Sequence, residues 1–416
     1  MATIFGCRVG SLPFDYLGIW VGANMNRICY WNPVIETIQS RLSSWKAKTL
    51  SMGGRLTLVK SVLASLPIYY LSLYKAPVKV LEEIEKIMKN FLWTGSNDIK
   101  KIHWVSWGVV STSKKDGGLG ISKMADVNMA LMAKWAWRFT VKKNSFWRKV
   151  IEAIHGGRGN WCFLPLKKSI TGCWKTIAAF LGNVTIQEKK FHQLIRVVVG
   201  NGEEICFWTD HWFGSVVLKD RWPCLYKLER KKKCSIKDRI QQCSEGFRFT
   251  ESWYHHPATV EELSEMQDLN RLLQSYSVNG SADKWVWDDG NSGVFSVANF
   301  KAMLRLGRDQ SRDQKMKWES WVPVKVNLVA WRTEFDRLPS RIALARRGVQ
   351  IVDTSCPLCA ANVEDLNHLF VGCGHAYGVW SFICKWCKID HFFAYDCEDL
   401  LLLYKTVHGV NGGKRS

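Results

Sequence analysis

Long hydrophobic runs are missing from this 416-residue sequence. Its most apolar stretch, LASLPIYYLSLY, is short and broken by Pro67. It cannot supply the roughly 20 apolar residues that a membrane-spanning helix needs, so no membrane partner is expected. No secretory leader is expected either, because MATIFGCRVG lacks a basic region followed by a long apolar one. That bears on the 14 cysteines. A reducing, intracellular setting is expected, with nucleus or cytoplasm left open, and there clustered cysteines signal metal or chemistry more often than disulfides. Repeats, coiled-coil heptads and long low-complexity tracts are also absent.

Acidic residues are in short supply. Asp and Glu number 37 against 58 Lys and Arg, a net charge of +21. The excess is uneven: residues 1–150 hold 22 basic and 8 acidic side chains, which places 14 of the 21 charges there. A surface of this kind draws in polyanions by releasing their counterions, and nucleic acid is the first candidate. The competing reading is a solvated lysine surface that keeps the chain soluble. At 47% apolar residues the chain should be globular, and its length suffices for two or three domains with sizeable cores.

The first part reads as helical. Asn32-Pro33 has the form of an N-cap with proline at the first helical position. Trp31, Ile35, Ile38, Leu42 and Trp45 then recur at helical spacing, as do Leu56, Val59, Leu63 and Leu66 up to Pro67. LEEIEKIMKNFLW places Leu81, Ile84, Ile87, Met88 and Phe91 on one face, and ADVNMALMAKWAWRF predicts a further helix. The middle changes character. RVVVGNGEEICFWTDHWFG has two β-rich runs around Gly200-Asn201-Gly202, a hairpin signal, and KWVWDDGNSGVFSV repeats the design with Asp288-Asp289-Gly290 in the turn. Helices return with VKVNLVAWRTEF, and Ser340 is placed to cap IALARR before Gly348 ends it. The fold class expected is α+β and mainly helical.

Cysteine and histidine cluster near the end. Cys356, Cys359, His368 and Cys373 give C-x2-C-x8-H-x4-C. A C-x-x-C turn aims two thiolates at one ion, and thiolates with an imidazole suit tetrahedral Zn2+. EDLNHLFVGC can form a short helix carrying His368, anchored by Leu366, Leu369 and Phe370. Three sulfurs and one nitrogen leave no position for water, so such a site is structural. The alternatives are unrelated buried cysteines, a rival tetrad using Cys384 and Cys387, or His375 in place of Cys373.

Other signals in the sequence are weaker. GGLG at 117–120 lacks a preceding strand and a following Lys-Ser/Thr, so a plain turn is the better reading. His255-His256 beside Pro257 reads as an exposed loop. Some of the 22 tryptophans could stack on bases, but Trp104, Trp107, Trp135 and Trp137 lie in apolar surroundings that favour core packing. The best nucleic-acid candidate is SSWKAKTLSMGGRLTLVK. There Lys46, Lys48, Arg55 and Lys60 flank Gly53-Gly54, a break that would let backbone amides approach phosphate; a solvated helix is the even alternative.

Taken in order, several stretches resemble the C-terminal part of the reverse transcriptase polyprotein of plant LINE-type (non-LTR) retrotransposons, with its reverse transcriptase zinc-binding domain. They are PFDYLGIWVG at 13–22, LSSWKAKTLSMGGRLTLVKSVLASLPIYYLSLYKAP at 42–77, IEKIMKNFLWTG, KKDGGLGI, VGNGEEICFWTDHWFG, WVWDDGNSGVFSV, WRTEFDRLPSRIALARRGV and CPLC…H…C. The family's RNA-directed DNA polymerase palm carries a Tyr/Phe-x-Asp-Asp strand whose carboxylates hold two metal ions. That motif is not in this sequence, whose one Asp-Asp pair is Asp288-Asp289. Nor is there a set of separated carboxylates for a ribonuclease H domain.

The resemblance therefore implies a thumb-like helical region over 1–95, following a palm that is missing here, and a helical connecting region over 96–190. A β-hairpin-containing region spans 191–305, the zinc-binding domain 306–400 and a tail 401–416. The function expected is non-catalytic: sequence-tolerant binding of RNA or DNA by a basic helical region, beside a structural Zn2+ module. The alternatives are a zinc-stabilised protein-interaction or scaffolding module, and a polymerase part active only with a separate palm.

Overall fold

A computed structural model describes residues 6, 10–44, 49–95, 102–142, 144–156, 164–167, 169–213, 217–243, 246–274, 281–289, 293–306, 316 and 318–407. The fold is mainly helical, and its sheets among the described residues are antiparallel pairs of short strands. Two compact units divide the chain, each assembled from separated stretches. One takes residues 1–31, 68–78 and 125–309, and the other takes 32–67, 79–124 and 310–416.

In the first unit the helix Met124–Val141 supplies Ala130, Met132, Ala133 and Ala136 to a core with Ile177, Leu181, Phe191, Trp287 and Phe300. Small residues on that face let bulky aromatic ones approach closely. Asn128 fastens the helix to the stretch before it. Its amide donates to the carbonyls of Leu71 and Tyr74 at 2.7 and 2.8 Å, and its oxygen accepts from Ala76 N–H at 3.0 Å. A second core gathers Phe207, Trp208, Trp222, Ile236, Phe249 and Leu269.

Among the described residues, neither expected hairpin forms as the two-stranded ladder that its turn signal suggests. Ile195–Val198 pairs antiparallel with Lys284–Trp287, so each sequence signal contributes one strand and the two pair with each other. The reason lies in Asp283. Its carboxylate accepts from the amides of Gly200, Gly202 and Glu204 at 2.7, 2.9 and 3.0 Å, which uses the donors a local ladder would need. Gly290 of the other turn lies outside the described residues. Asp288 forms ion pairs with Lys189 and Arg196, and Asp289 accepts from Asn299.

Glu229 is fully buried in the second core. Arg239 grips it through two bonds of 2.9 and 2.7 Å, and Trp208 Nε1 donates to it at 3.0 Å. Removing one partner strands a buried charge, whereas removing both does not. Glu229→Ala is therefore expected to cost about 3–5 kcal/mol, with the double replacement Glu229→Met, Arg239→Met far milder. Denaturant unfolding followed by tryptophan fluorescence checks this, and equal losses in the two proteins would contradict it.

The second unit is helical. The helix Val78–Thr94 buries Leu81, Ile84, Ile87, Met88 and Phe91, as its spacing requires. The helix Met52–Leu58 runs on into a π-turn at Val59–Leu63. Here the expected glycine break is overturned. Gly53 lies inside the helix, where an added Cβ would come 3.2 Å from Lys325 N, and Gly54 N–H is taken by the Ser51 hydroxyl at 3.2 Å. Gly53 serves close packing against the helix Val324–Glu334, and its backbone is not offered to phosphate. The GGLG turn is likewise spent internally: Gly118, Leu119 and Gly120 donate to Ser113, Val110 and Thr112 carbonyls. Trp331 is fully buried and bonds Gly117 O at 2.8 Å.

Candidate metal centre and nucleic-acid residues

The metal centre begins with a tight reversal. Ser355 and Val363 form an antiparallel bridge, and Cys356 N–H donates to Asn362 O at 2.8 Å. Ala360 N–H closes back on Cys356 O at 2.8 Å, with Ala360 in the left-handed region at φ 53. That turn sets Cys356 and Cys359 side by side. The amides of Ala361 and Asn362 point at the Cys359 sulfur and hold its thiol below the ordinary range.

A helical turn from Leu366 follows, capped by Asp365, whose carboxylate accepts from His368 N–H at 2.7 Å. His368–Gly372 winds as a π-turn that ends when Cys373 N–H bonds His368 O at 2.8 Å. Cys373 then caps the helix Gly374–Cys387 in extended conformation. Burial pushes its thiol up, opposed by the amides of His375 and Ala376.

Cys356 and Cys373 are buried at 1% exposure and His368 at 8%, so three of the donors are withdrawn from water. Cys359 Sγ stands 3.1 Å from His368 Nε2, and the four donor atoms lie within 4.8 Å of one another. Two sulfurs each 2.3 Å from a tetrahedral ion would be about 3.8 Å apart, so a single tetrahedral ion fits among the four donor atoms. The residues present fit Zn2+.

A scaffold that the sequence reading missed orients this cage. Arg341 donates to Ser355 O at 2.8 Å and through its backbone to the Glu364 carboxylate at 3.0 Å. Glu364 N–H in turn reaches Thr354 O at 2.8 Å, so the reversal is tied to the helix Arg341–Ala345. Ser340 caps that helix, and Gly348 follows it at φ +80. Leu338, Leu366 and Cys397 form a small core with Phe370 against it. Cys384 and Cys387 ride on the helix Gly374–Cys387, and neither they nor His375 join the donor group.

The nucleic-acid candidates are placed differently. Lys46 and Lys48 lie outside the described residues. Arg55 and Lys60 are half-buried rather than solvated. Burial lowers both, bringing Lys60 to about 8 with Lys114 adding repulsion.

Residues 295–380 match the family model described as zinc-binding in reverse transcriptase. All four donors fall inside that range, and Cys384 and Cys387 fall outside it. A putative ribonuclease H protein of Arabidopsis thaliana is 28% identical over 372 residues, covering 87% of this chain and 57% of that one. The chain thus spans little more than half of that relative's length. An uncharacterized mitochondrial protein of Arabidopsis thaliana is 24% identical over 36% of this chain and 92% of its own. The transposon TX1 uncharacterized 149 kDa protein of Xenopus laevis is 33% identical over 109 residues, 8% of its length. The chain is related to the retrotransposon reverse transcriptases, and it carries their zinc-binding domain. Its cofactor is Zn2+ in a structural role. No helix among the described residues is long and apolar enough to cross a membrane.

Proposed function

We propose that this protein is a non-catalytic C-terminal part of a LINE-type reverse transcriptase polyprotein that binds RNA or DNA with little regard to sequence. Cys356, Cys359, His368 and Cys373 hold the structural zinc, and the positive excess of residues 1–150 draws in the nucleic acid, with Lys46, Lys48, Arg55 and Lys60 as contacts. Along the sequence the order is thumb-like region 1–95, connecting region 96–190, strand-bearing region 191–305, zinc-binding domain 306–400 and tail 401–416. The observation that carries the reading is the convergence of the four donors within a segment that matches the reverse transcriptase zinc-binding family.

The non-catalytic part rests on carboxylates. Two-metal phosphoryl transfer needs acidic residues free to clamp the ions, and the Asp288-Asp289 pair is engaged by Lys189, Arg196 and Asn299. The full chain should bind a random RNA or DNA duplex at low salt and add no nucleotide to a primed template in Mg2+ or Mn2+. Template-dependent incorporation by rigorously purified protein would overturn the non-catalytic reading, and failure to bind either duplex would overturn the other.

One observation favours a second reading, in which the zinc module docks a polypeptide such as a separate palm. Phe382 and Trp386 on the helix Gly374–Cys387 are 70% and 78% exposed, and Phe393 and Tyr395 beyond it are more so. Aromatic residues displayed this way are typical of interface anchors. Adding a separately expressed palm to the primer-extension assay tests it, since only this reading expects incorporation to appear and to be lost in Trp386→Ala.

A further inference from the structure

Four hydrogen-bond donors grouped at one place in the second unit are closed off from solvent and have no acceptor among the described residues. They are Arg55 Nε and Nη1, Arg332 Nη2 and Trp93 Nε1. All three residues line one cavity of about 430 Å³, whose other walls are Met52, Leu92, Ile102 and Trp104. Arg55 comes from the helix Met52–Leu58 and Arg332 from the helix Val324–Glu334, the pair packed closely at Gly53. Arg332 is steadied from behind: its Nε donates to Arg337 O at 2.9 Å, and its guanidinium sits 5.2 Å from the centre of the Trp104 ring. Arg347 lies 4.7 Å from the same ring and donates to His103 and Trp104 carbonyls. Among the described residues, no carboxylate lines the cavity.

This arrangement is costly as it stands. Desolvation lowers Arg332 to about 10, with Arg347 adding repulsion, and acts in the same direction on Arg55. Guanidinium groups keep their charge at neutral pH, and no described residue lining this space offers a counterion. A buried charge is tolerated when an opposite charge and hydrogen bonds meet it. The nitrogen-bearing side chains of the wall are donors only, since guanidinium and indole groups have no acceptor to give. Guanidinium forks match phosphate oxygens in shape and charge. The volume exceeds a bare phosphate and falls in the usual range for small-molecule sites, and indole rings in the wall suit a base or sugar.

We propose that this cavity binds a phosphodiester of a nucleic-acid strand, Arg55 and Arg332 holding the phosphate oxygens and Trp93 and Trp104 enclosing the adjoining nucleotide. The strand as source rests on the nucleic-acid reading above, while the anion site stands on the orphan donors. It adds Arg332, Trp93 and Trp104 to that reading, and Arg332 lies outside the basic first 150 residues.

The test uses the full, zinc-loaded chain with Arg55→Gln, Arg332→Gln, Arg332→Lys and the pair Lys46→Ala, Lys48→Ala. Probes are a single-stranded 20-mer of RNA or DNA, a mononucleotide and inorganic phosphate. Each Gln variant should weaken 20-mer binding about tenfold or more, with Arg332→Lys intermediate because the fork is lost and the charge kept. Without any probe, the Gln variants should unfold at the wild-type temperature or above it, since an unmet charge has been removed. Wild-type affinity for the 20-mer with both Gln variants, or their unfolding below the wild type without probe, would overturn the proposal. If Lys46→Ala, Lys48→Ala weakens binding and the arginine variants do not, the nucleic-acid reading survives and this site falls. Arginine-dependent stabilisation by phosphate or mononucleotide with no effect of the 20-mer would overturn the strand as ligand.

Discussion

Cys373→Ser protein is expected to contain no bound zinc and to lose the fold of its C-terminal module. Cys373 has two duties at once: its sulfur completes the donor set, and its backbone caps the helix Gly374–Cys387. Metal binding in such modules is coupled to folding, with apparent binding free energies of about 10–16 kcal/mol for structural zinc. A hydroxyl in place of the buried thiol is a poor zinc ligand. The reversal at 355–363 and the π-turn at His368–Gly372 are short, irregular pieces with little core of their own beyond Leu338, Leu366, Cys397 and Phe370. They should open without the ion. The cores around Trp208 and Trp287 share no residue with the site and should stay folded. Metal content with hydrogen exchange reads both effects. Cys384→Ser and Cys387→Ser should retain one zinc per chain, and loss of zinc in either would contradict the assignment.

The second large effect is on salt. If binding neutralises six or more phosphates, affinity for duplex DNA should fall about a thousandfold or more between 50 and 200 mM salt. Each phosphate contact removed should lower the slope of log affinity against log salt by about 0.9. Lys46→Ala, Lys48→Ala should therefore flatten the slope measurably and weaken all sequences alike, and an unchanged slope would sink that placement. Cutting the chain at residue 150 is not a fair version of this test. Residues 1–150 contribute to both compact units, and the cut would part Ala133 and Ala136 from Phe191 and Trp287. Substitutions in the intact chain avoid that.

Much of the helical framework was legible in the sequence because burial on one face imposes a period. The Leu81–Phe91 stripe, the Ser340 cap and the helix over Val324–Glu334 follow from residue type and spacing alone. The strands were legible only singly. Gly200-Asn201-Gly202 is a genuine turn, with Gly202 at φ +67, yet its amides are satisfied by Asp283, some eighty residues on, and no local rule points there. Gly53 misled for a related reason: a glycine that admits a neighbouring helix looks in sequence like one that frees a loop. The convergence of Cys356, Cys359, His368 and Cys373 was readable because thiolate and imidazole chemistry is written into short spacings. The cavity of Arg55, Trp93, Trp104 and Arg332 was not, since it is assembled from four stretches and its signature is missing acceptors.

The most direct measurement of the central claim is zinc X-ray absorption on the purified full chain. Coordination by Cys356, Cys359, His368 and Cys373 predicts three sulfurs at about 2.3 Å and one imidazole nitrogen at about 2.0–2.1 Å, with no water ligand. Four sulfurs and no imidazole would contradict it and give the ion to Cys356, Cys359, Cys384 and Cys387.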